Sequence, residues 1–186
     1  ATAIRSNCPL EVQLPEYQFQ LQYDAHECLL RLLDHIFPSI DLDHLFKVDV
    51  DQSTECDCGY NYTSPFVANH LSIPVPPSNE LQSISDLIHH FQLGERLVDH
   101  RCPGCNQQNT TWKSDLISRT SSTLIISLKL FRYDLLSGNT AKIKPNMHIS
   151  NIINIFEEFV LSGIILHQGE QANSGHYTAM IRRGDA

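Results

Sequence analysis

Four of the six cysteines fall in two close pairs, Cys56-Asp57-Cys58-Gly59 and Cys102-Pro103-Gly104-Cys105. Four thiolates at about 2.3 Å around Zn²⁺ make a closed tetrahedral site, which organises a fold and does no chemistry of its own. Cys102 and Cys105 have the usual gap, with a Pro-Gly turn that presents both thiols to one point. Cys56 and Cys58 are closer than usual, so the chain must bend at Asp57, and Gly59 makes that easier. The spacing predicts two hairpins tied by zinc. A metal-free hairpin with reduced thiols, or a site in which His70 or His100 replaces one cysteine, would also fit. Cys28 lies on an apolar helical stripe and reads as core, while Cys8 precedes a proline with nothing nearby to lower its pKa. Neither reads as a nucleophile.

The other chemical candidate is His176, in Ser174-Gly175-His176-Tyr177. Glycine before a histidine lets a second backbone or an extended substrate come close, and a strand holds the imidazole in a fixed direction, as a general base requires. A structural histidine at a strand start fits the same pattern.

The elements that must position these residues follow from periodicity and punctuation. Between Tyr23 and Phe37, the residues Cys28, Leu29, Leu32, Leu33 and Ile36 recur at helical spacing until Pro38. Asp24-Ala25-His26-Glu27 has the form of a capping box, with Asp24 placed to accept from the Glu27 N–H. Residues 44–51 and 61–73 read as strands, and Ser83 or Ser85 caps a short helix with Leu87, Ile88 and Phe91 on one face and Gly94 as its stop. Residues 110–117, 123–133, 142–149, 159–167 and 177–182 read as further strands, which predicts a multi-stranded antiparallel sheet in the C-terminal half. Residues 1–20 show no period. Helix, cysteine-bearing insertion and sheet in that order make an α+β fold.

Composition limits the function. The 186 residues suit one domain, and no apolar run is long enough to span a membrane. Thirteen Lys plus Arg against twenty-one Asp plus Glu give a formal charge of −8, which repels phosphate backbones and attracts basic partners. The paired cysteines point to metal and a reducing, intracellular setting, cytoplasm or nucleus. There is no secretory leader pattern, and the first residue is Ala, so the chain reads as an internal piece of something longer.

Several stretches, in order, resemble the ubiquitin-specific protease family of cysteine deubiquitinases. Gln22-Tyr23-Asp24-Ala25-His26-Glu27-Cys28-Leu29 is similar to that family's Gln-Gln-Asp-Ala-x-Glu-Phe-Leu segment, followed by Leu32 to Asp34 as its Leu-Leu-Asp. The cysteine pairs fall where the family has its zinc-binding fingers, and Leu71-Ser72-Ile73-Pro74 resembles its Leu-x-Leu-Pro strand. Leu124 to Phe131 is similar to Leu-x-x-x-Leu-Lys-Arg-Phe, Lys142-Ile143 to Lys-Ile, and His167-Gln168-Gly169 with Gly175-His176-Tyr177 to the final histidine box. The series covers roughly residues 18–182.

The resemblance implies a papain-like fold of palm, thumb and fingers, with the fingers over about 44–118 and the palm sheet over 119–186. It implies that ubiquitin is gripped by the fingers, with its C-terminal tail threaded into a cleft. His176 would be the general base, Asp24 and Glu27 would hold the arginine-bearing tail, and His167, Gly175 and Tyr177 would line its channel. Ubiquitin and ubiquitinated proteins would be the partners of a monomeric domain, with no nucleic acid or membrane partner, and Cys56, Cys58, Cys102 and Cys105 would hold structural zinc.

There are departures from the family pattern. Its nucleophile segment, Gly-x-x-Asn-x-Gly-Asn-Thr-Cys, is not among these residues, and the third triad position has no counterpart better than Asp185. Cys58 comes one residue early, Leu130 replaces the arginine, and Cys28 the phenylalanine. The chain is thus expected to be a fragment carrying the histidine half of an active site, inactive by itself. Rival readings are a ubiquitin-binding pseudo-enzyme and a zinc-ribbon nucleic-acid binder. The charge argues against the second.

Overall fold

The computed structural model describes residues 24–36, 43–108, 110–134, 138–171 and 174–184. Residues 1–20 with Cys8, and Gln22, Tyr23 and Asp185, lie outside them. In chain order the elements are α1 (Ala25–Ile36), α2 (Asp43–Phe46), β1 (Val48–Cys56), β2 (Asn61–Ala68), β3 (Leu71–Pro74), β4 (Gln82–Ser83), α3 (Ile84–Leu93), β5 (Glu95–Arg96) and β6 (Thr111–Thr120). They continue with β7 (Ile126–Lys129), β8 (Phe131–Asp134), β9 (Asn139–Lys142), β10 (Met147–His148), β11 (Ile152–Asn154), β12 (Glu158–Val160), β13 (Gly163–Gln171) and β14 (Ser174–Ile181). They divide into two compact units, one of residues 1–41, 131–142 and 162–186, the other of 42–130 and 143–161.

The larger unit holds a four-stranded sheet of order β2-β1-β6-β5. Val48 and Val50 are wholly buried, and between Val50 and Cys56 the strand is polar. One end of the sheet therefore rests on apolar packing and the other does not. A bulge at Asp49/Val50 skips Ser118 and brings Ile117 opposite Val50, so that Ile117 joins the core. The Ser118 hydroxyl donates to the Asp49 carbonyl at 3.2 Å. Pro65 sits in β2, an edge strand, where a ladder tolerates a missing N–H.

Leu71, Ile73, Val75, Leu87 and Ile88 complete the core. Helix α3 is set by Ser83, whose hydroxyl accepts from the Asp86 N–H at 3.1 Å while the Asp86 carboxylate accepts from the Ser83 N–H at 3.0 Å. It ends at Gly94, whose φ is 81° and where a Cβ would lie 2.3 Å from the Lys113 carbonyl oxygen. Only glycine turns the chain this close beneath β6.

The strand expectations need correction, and 123–133 and 142–149 each hold two shorter strand pieces where one was predicted. Residues 43–46 are helical, and the strand predicted from 44 starts at Val48 and runs to Cys56. The predicted strand 61–73 is two, β2 and β3. The single antiparallel sheet of the C-terminal half is instead divided: β6 joins the four-stranded sheet and the later strands form two-stranded ladders, of which β3–β7 and β4–β10 are parallel. Periodicity reports that a segment is extended and which side is apolar; its partner is chosen by packing between distant parts of the chain. Leu124, Ile126, Leu128 and Leu130 do share a face, and pack on the core as their alternation predicts.

Candidate functional site

Two constellations stand out, one in each unit. In the larger, β1 ends at Cys56 and the chain turns at once, with the Gly59 N–H donating to the Cys56 carbonyl at 2.8 Å and Gly59 at φ 87°. This is the bend required at Asp57. The Cys102 hairpin closes by the Cys102 N–H donating to the Gln107 carbonyl at 2.9 Å and the Asn106 N–H to the Cys102 carbonyl at 2.8 Å, and the Gly104 N–H donates to Cys102 Sγ at 3.3 Å. The hairpins also meet away from sulfur, since a Cβ at Gly104 would lie 2.8 Å from the Tyr60 Cβ.

All four Sγ atoms lie within 4.8 Å of one another, and this group of ligands could hold a metal ion. Cys56 and Cys105 are 3.8 Å apart, and Cys58 and Cys102 3.9 Å. A tetrahedron with 2.3 Å metal–sulfur bonds has edges of about 3.8 Å, so these two pairs already have the spacing of opposite edges around Zn²⁺. The Cys58 N–H, then the Thr110 hydroxyl, stabilise a thiolate on Cys56 and bring it down to about 6. The Tyr60 N–H favours a thiolate on Cys58 as well, but its sulfur neighbours and burial outweigh it and push Cys58 up to about 12. A divalent cation supplies the charge that relieves this crowding. His70 and His100 are not in the group; His70 Nδ1 is 3.0 Å from Asn69 Oδ1.

In the smaller unit, Asp24 caps α1. Its Oδ1 accepts from the Glu27 N–H at 2.9 Å, and its Oδ2 accepts from the Tyr177 hydroxyl at 2.7 Å. The helix start is thereby tied to β14. Only this half of the capping box is present among the described residues, because the exposed Glu27 carboxylate turns to Arg31 at 3.7 Å. Beside Tyr177 lies His167, opposite it in the β13–β14 ladder, with ring centroids 4.8 Å apart. Gly175 packs under that imidazole: a Cβ there would lie 2.3 Å from His167 Nε2. Asp24, Tyr177, His167 and Gly175 thus form one cluster.

His176 follows Gly175 in β14, opposite Gln168. Side chains alternate along a strand, so His176 faces away from the side on which Tyr177 reaches Asp24. It is exposed, and among the described residues nothing hydrogen-bonds its ring. Glu27 stands three residues beyond Asp24, on the open side of the helix. Two members of the cluster stand in the sequence reading only as motif residues with no site role: Phe131, 5.7 Å from the His167 ring, and Lys142, which donates to it. Only the non-local approach of β8 and β9 to β13 brings them there.

The Tyr177–Asp24 bond carries a pH signature. Partial burial works against the Asp24 carboxylate, but the Glu27 N–H, the Tyr177 hydroxyl and the His26 N–H outweigh it and hold the group below its usual 3.8. A depressed folded value adds stability above the unfolded pKa, and that stability is lost as pH falls through the folded value. Burial, then the Asp24 hydrogen bond and charge, push Tyr177 up to about 12, so its contribution is complete below pH 10 and disappears on going to about 12. Tyr177→Phe removes one of the donors, and the Asp24 carboxyl, followed by ¹³C NMR, is expected to titrate at higher pH than in the parent chain. An unmoved titration would show that the bond does not form.

Comparison with known proteins converges on one family. Residues 10–186 match the family model described as ubiquitin carboxyl-terminal hydrolase. Human ubiquitin carboxyl-terminal hydrolase 24 is 24% identical over 88% of this chain, which spans 8% of that protein. The rat ubiquitin carboxyl-terminal hydrolase 48 is 31% identical over 54% of the chain and 11% of its own length. In structure, 95% of the chain matches a chain of the SAGA Ubp8/Sgf11/Sus1/Sgf73 DUB module bound to ubiquitin aldehyde, with TM-score 0.75, 21% identity and 45% of that chain covered. A Ubp8-substituted form of the same module, bound to monoubiquitin, gives TM-score 0.76 at 23% identity, covering 95% of this chain and 44% of that one. The chain thus spans less than half of the solved chains it matches. Its fold is the sheet-rich α+β fold of ubiquitin-specific proteases, as the ordered motifs anticipate. With nearly all of its residues under one family model, the chain belongs to the ubiquitin carboxyl-terminal hydrolase family.

Proposed function

We propose that this chain is the part of a cysteine deubiquitinase that carries the histidine and the tail-binding residues, acting on the isopeptide bond after ubiquitin's terminal glycine. The observation that carries the reading is the Tyr177–Asp24 bond, which ties the acid-bearing helix start to the strand of His176. His176 takes the proton of a cysteine thiol provided by the family's Asn-Thr-Cys segment, which is not among these residues. The thiolate attacks the glycine carbonyl; the amine leaves with the proton returned by the imidazolium; water, deprotonated by the same ring, releases the acid from the thioester. An imidazole that is exposed and that no described residue engages suits a base whose cysteine and orienting partner come from elsewhere.

The two carboxylates have different availability for an arginine-bearing tail. Asp24 already accepts from the Glu27 N–H, the His26 N–H and the Tyr177 hydroxyl, so it mainly fixes the site. Glu27 is exposed and, among the described residues, its carboxylate has only a long i,i+4 pair, so it is the readier partner for a guanidinium. His167, Gly175 and Tyr177 line the tail's path, and the four cysteines hold structural zinc that stiffens the fingers. Ubiquitin, bound in two of the solved neighbours, is the partner; a net charge of −8 suits its basic tail. Reduced thiols suit an intracellular compartment, cytoplasm or nucleus. Among the described residues, no helix is long and apolar enough to cross a membrane.

The test is hydrolysis of a fluorogenic ubiquitin C-terminal reporter by the 186 residues alone and joined to the cysteine-bearing segment. Turnover is expected only in the joined form. Turnover by the 186 residues that survives loss of both Cys8 and Cys28 would overturn the placement of the nucleophile.

A further inference from the structure

The chemistry assigned to His176 makes no use of Lys142. Lys142, the last residue of β9, is half-buried and uses all three of its N–H donors on β13. Its Nζ lies 2.8 Å from the His167 carbonyl oxygen, 2.8 Å from the Gly169 carbonyl oxygen and 3.1 Å from His167 Nδ1. The Phe131 ring is 5.8 Å away. Among the described residues no carboxylate pairs with it, so this lysine is spent on backbone and imidazole, not on an ion pair.

These contacts fall where the ladder fails. The β13–β14 register shifts between Gln168 and Gln171, and Gly169 and Gly175 both adopt φ of 153°. Backbone there departs from the regular ladder, and a side-chain donor can satisfy a carbonyl that the ladder does not. The ammonium donates to the Gly169 carbonyl within the shift and to the His167 carbonyl just before it. An ammonium donates only, so the His167 nitrogen facing it is the bare acceptor and the ring proton sits on Nε2. That nitrogen faces Gly175, where even a methyl group would collide with it. Lysine, imidazole and glycine are therefore stacked in sequence, and the next residue along β14 is His176.

From this geometry we propose that Lys142 is a positioning residue: it clamps the bulged end of β13, fixes the rotamer and tautomer of His167, and through Gly175 sets where the His176 imidazole stands. Lys142 touches neither the substrate nor the reacting atoms. The inference rests on the reading of His176 as general base, and its test separates the two.

In the ¹⁵N-labelled 186-residue chain, long-range ¹H–¹⁵N spectra report the His167 tautomer whether or not anything is hydrolysed. Lys142→Met is expected to convert His167 from one Nε2–H form to a tautomeric mixture, with metal content and circular dichroism unchanged. Lys142→Arg keeps donors for the two carbonyls and is expected to restore most of the single form. In the chain joined to its cysteine segment, Lys142→Met should lower kcat by about 10- to 100-fold, as a displacement of about 1 Å in a catalytic group can do, with a smaller change in KM. An unchanged His167 tautomer in Lys142→Met, or unchanged kcat, would overturn the proposal. If Lys142→Met does not fold, Lys142→Arg decides: a wild-type tautomer and kcat above half the parent value support the clamp, and a tautomeric mixture with wild-type kcat rejects it. Retained turnover in His176→Gln would instead overturn the assignment of the base, leaving the tautomer result to judge the clamp.

Discussion

Changing Cys102 and Cys105 to serine is expected to abolish metal binding and unravel the distal half of the four-stranded sheet, while the apolar end stays folded. The core of that unit gathers Val48, Val50, Leu71, Ile73, Leu87 and Ile117. Beyond Val50, β1 presents Gln52, Ser53, Thr54 and Glu55 before reaching Cys56, opposite Asp115, Ser114, Lys113 and Trp112 of β6. The pairs there are polar, such as Gln52 Nε2 donating to Asp115 Oδ1 at 2.8 Å and Lys113 to Asp115 at 3.5 Å, and Trp112 is 46% exposed. These contacts are half-buried and few, and even a well-formed surface ion pair contributes only about 0–1 kcal/mol. A structural zinc site contributes about 10–16 kcal/mol of apparent binding energy, which is folding energy for whatever it ties together. Removing two of four ligands removes most of that from a region with little else to hold it. Elemental analysis in reducing buffer should fall from about one zinc per chain to none. Hydrogen exchange should accelerate at Thr54 to Cys56 and Thr111 to Lys113, with Val48, Val50 and Ile117 still protected. Full metal content, or unchanged protection at the knuckles, would show that the thiols do not organise this end. The contact of Gly104 with Tyr60 also joins the hairpins, but it is too small to give that result alone.

How far the sequence reaches differs between the two constellations. The cysteine site was legible nearly whole, because its ligands come in local pairs: the bend at Asp57, the role of Gly59 and the Pro-Gly turn are all short-range necessities. The Ser83–Asp86 box and the Gly94 stop were legible for the same reason. In the histidine cluster only the chain-local pieces could be read, namely the cap at Asp24 and the Gly-His-Tyr run. That Tyr177 reaches back to Asp24 across 153 residues follows from no spacing, and neither does the approach of Lys142 to the bulge after His167. Resemblance supplied what local chemistry lacks, an ordered series of motifs that the family match confirms. It could not say that Glu27 would turn to Arg31, because exposed side chains settle by small local differences. The mistaken single sheet has a like origin: alternation fixes faces and leaves partners undecided.

In the chain joined to a cysteine-bearing segment of the family's Asn-Thr-Cys pattern, His176→Gln is expected to cut turnover of a ubiquitin reporter by about a thousandfold, within the 10²- to 10⁴-fold range of general acid–base catalysis, without weakening the fold. The second half follows from its surroundings. His176 is exposed and no described residue hydrogen-bonds its ring, so the substitution leaves no buried donor or acceptor unpaired and creates no cavity; surface changes of that kind alter stability by about 0.5 kcal/mol or less. Glutamine keeps the approximate size and polarity but cannot relay a proton near neutral pH. Tyr177 and Asp24 lie on the other side of the strand, so ubiquitin affinity should hold while kcat collapses. Asp24→Ala gives the opposite pattern: it removes the helix cap, at about 1 kcal/mol, and strands the Tyr177 hydroxyl, so melting temperature and KM should both move. If His176→Gln lowered stability as much as Asp24→Ala while leaving turnover intact, His176 would be a structural strand residue and the proton would have to be taken elsewhere.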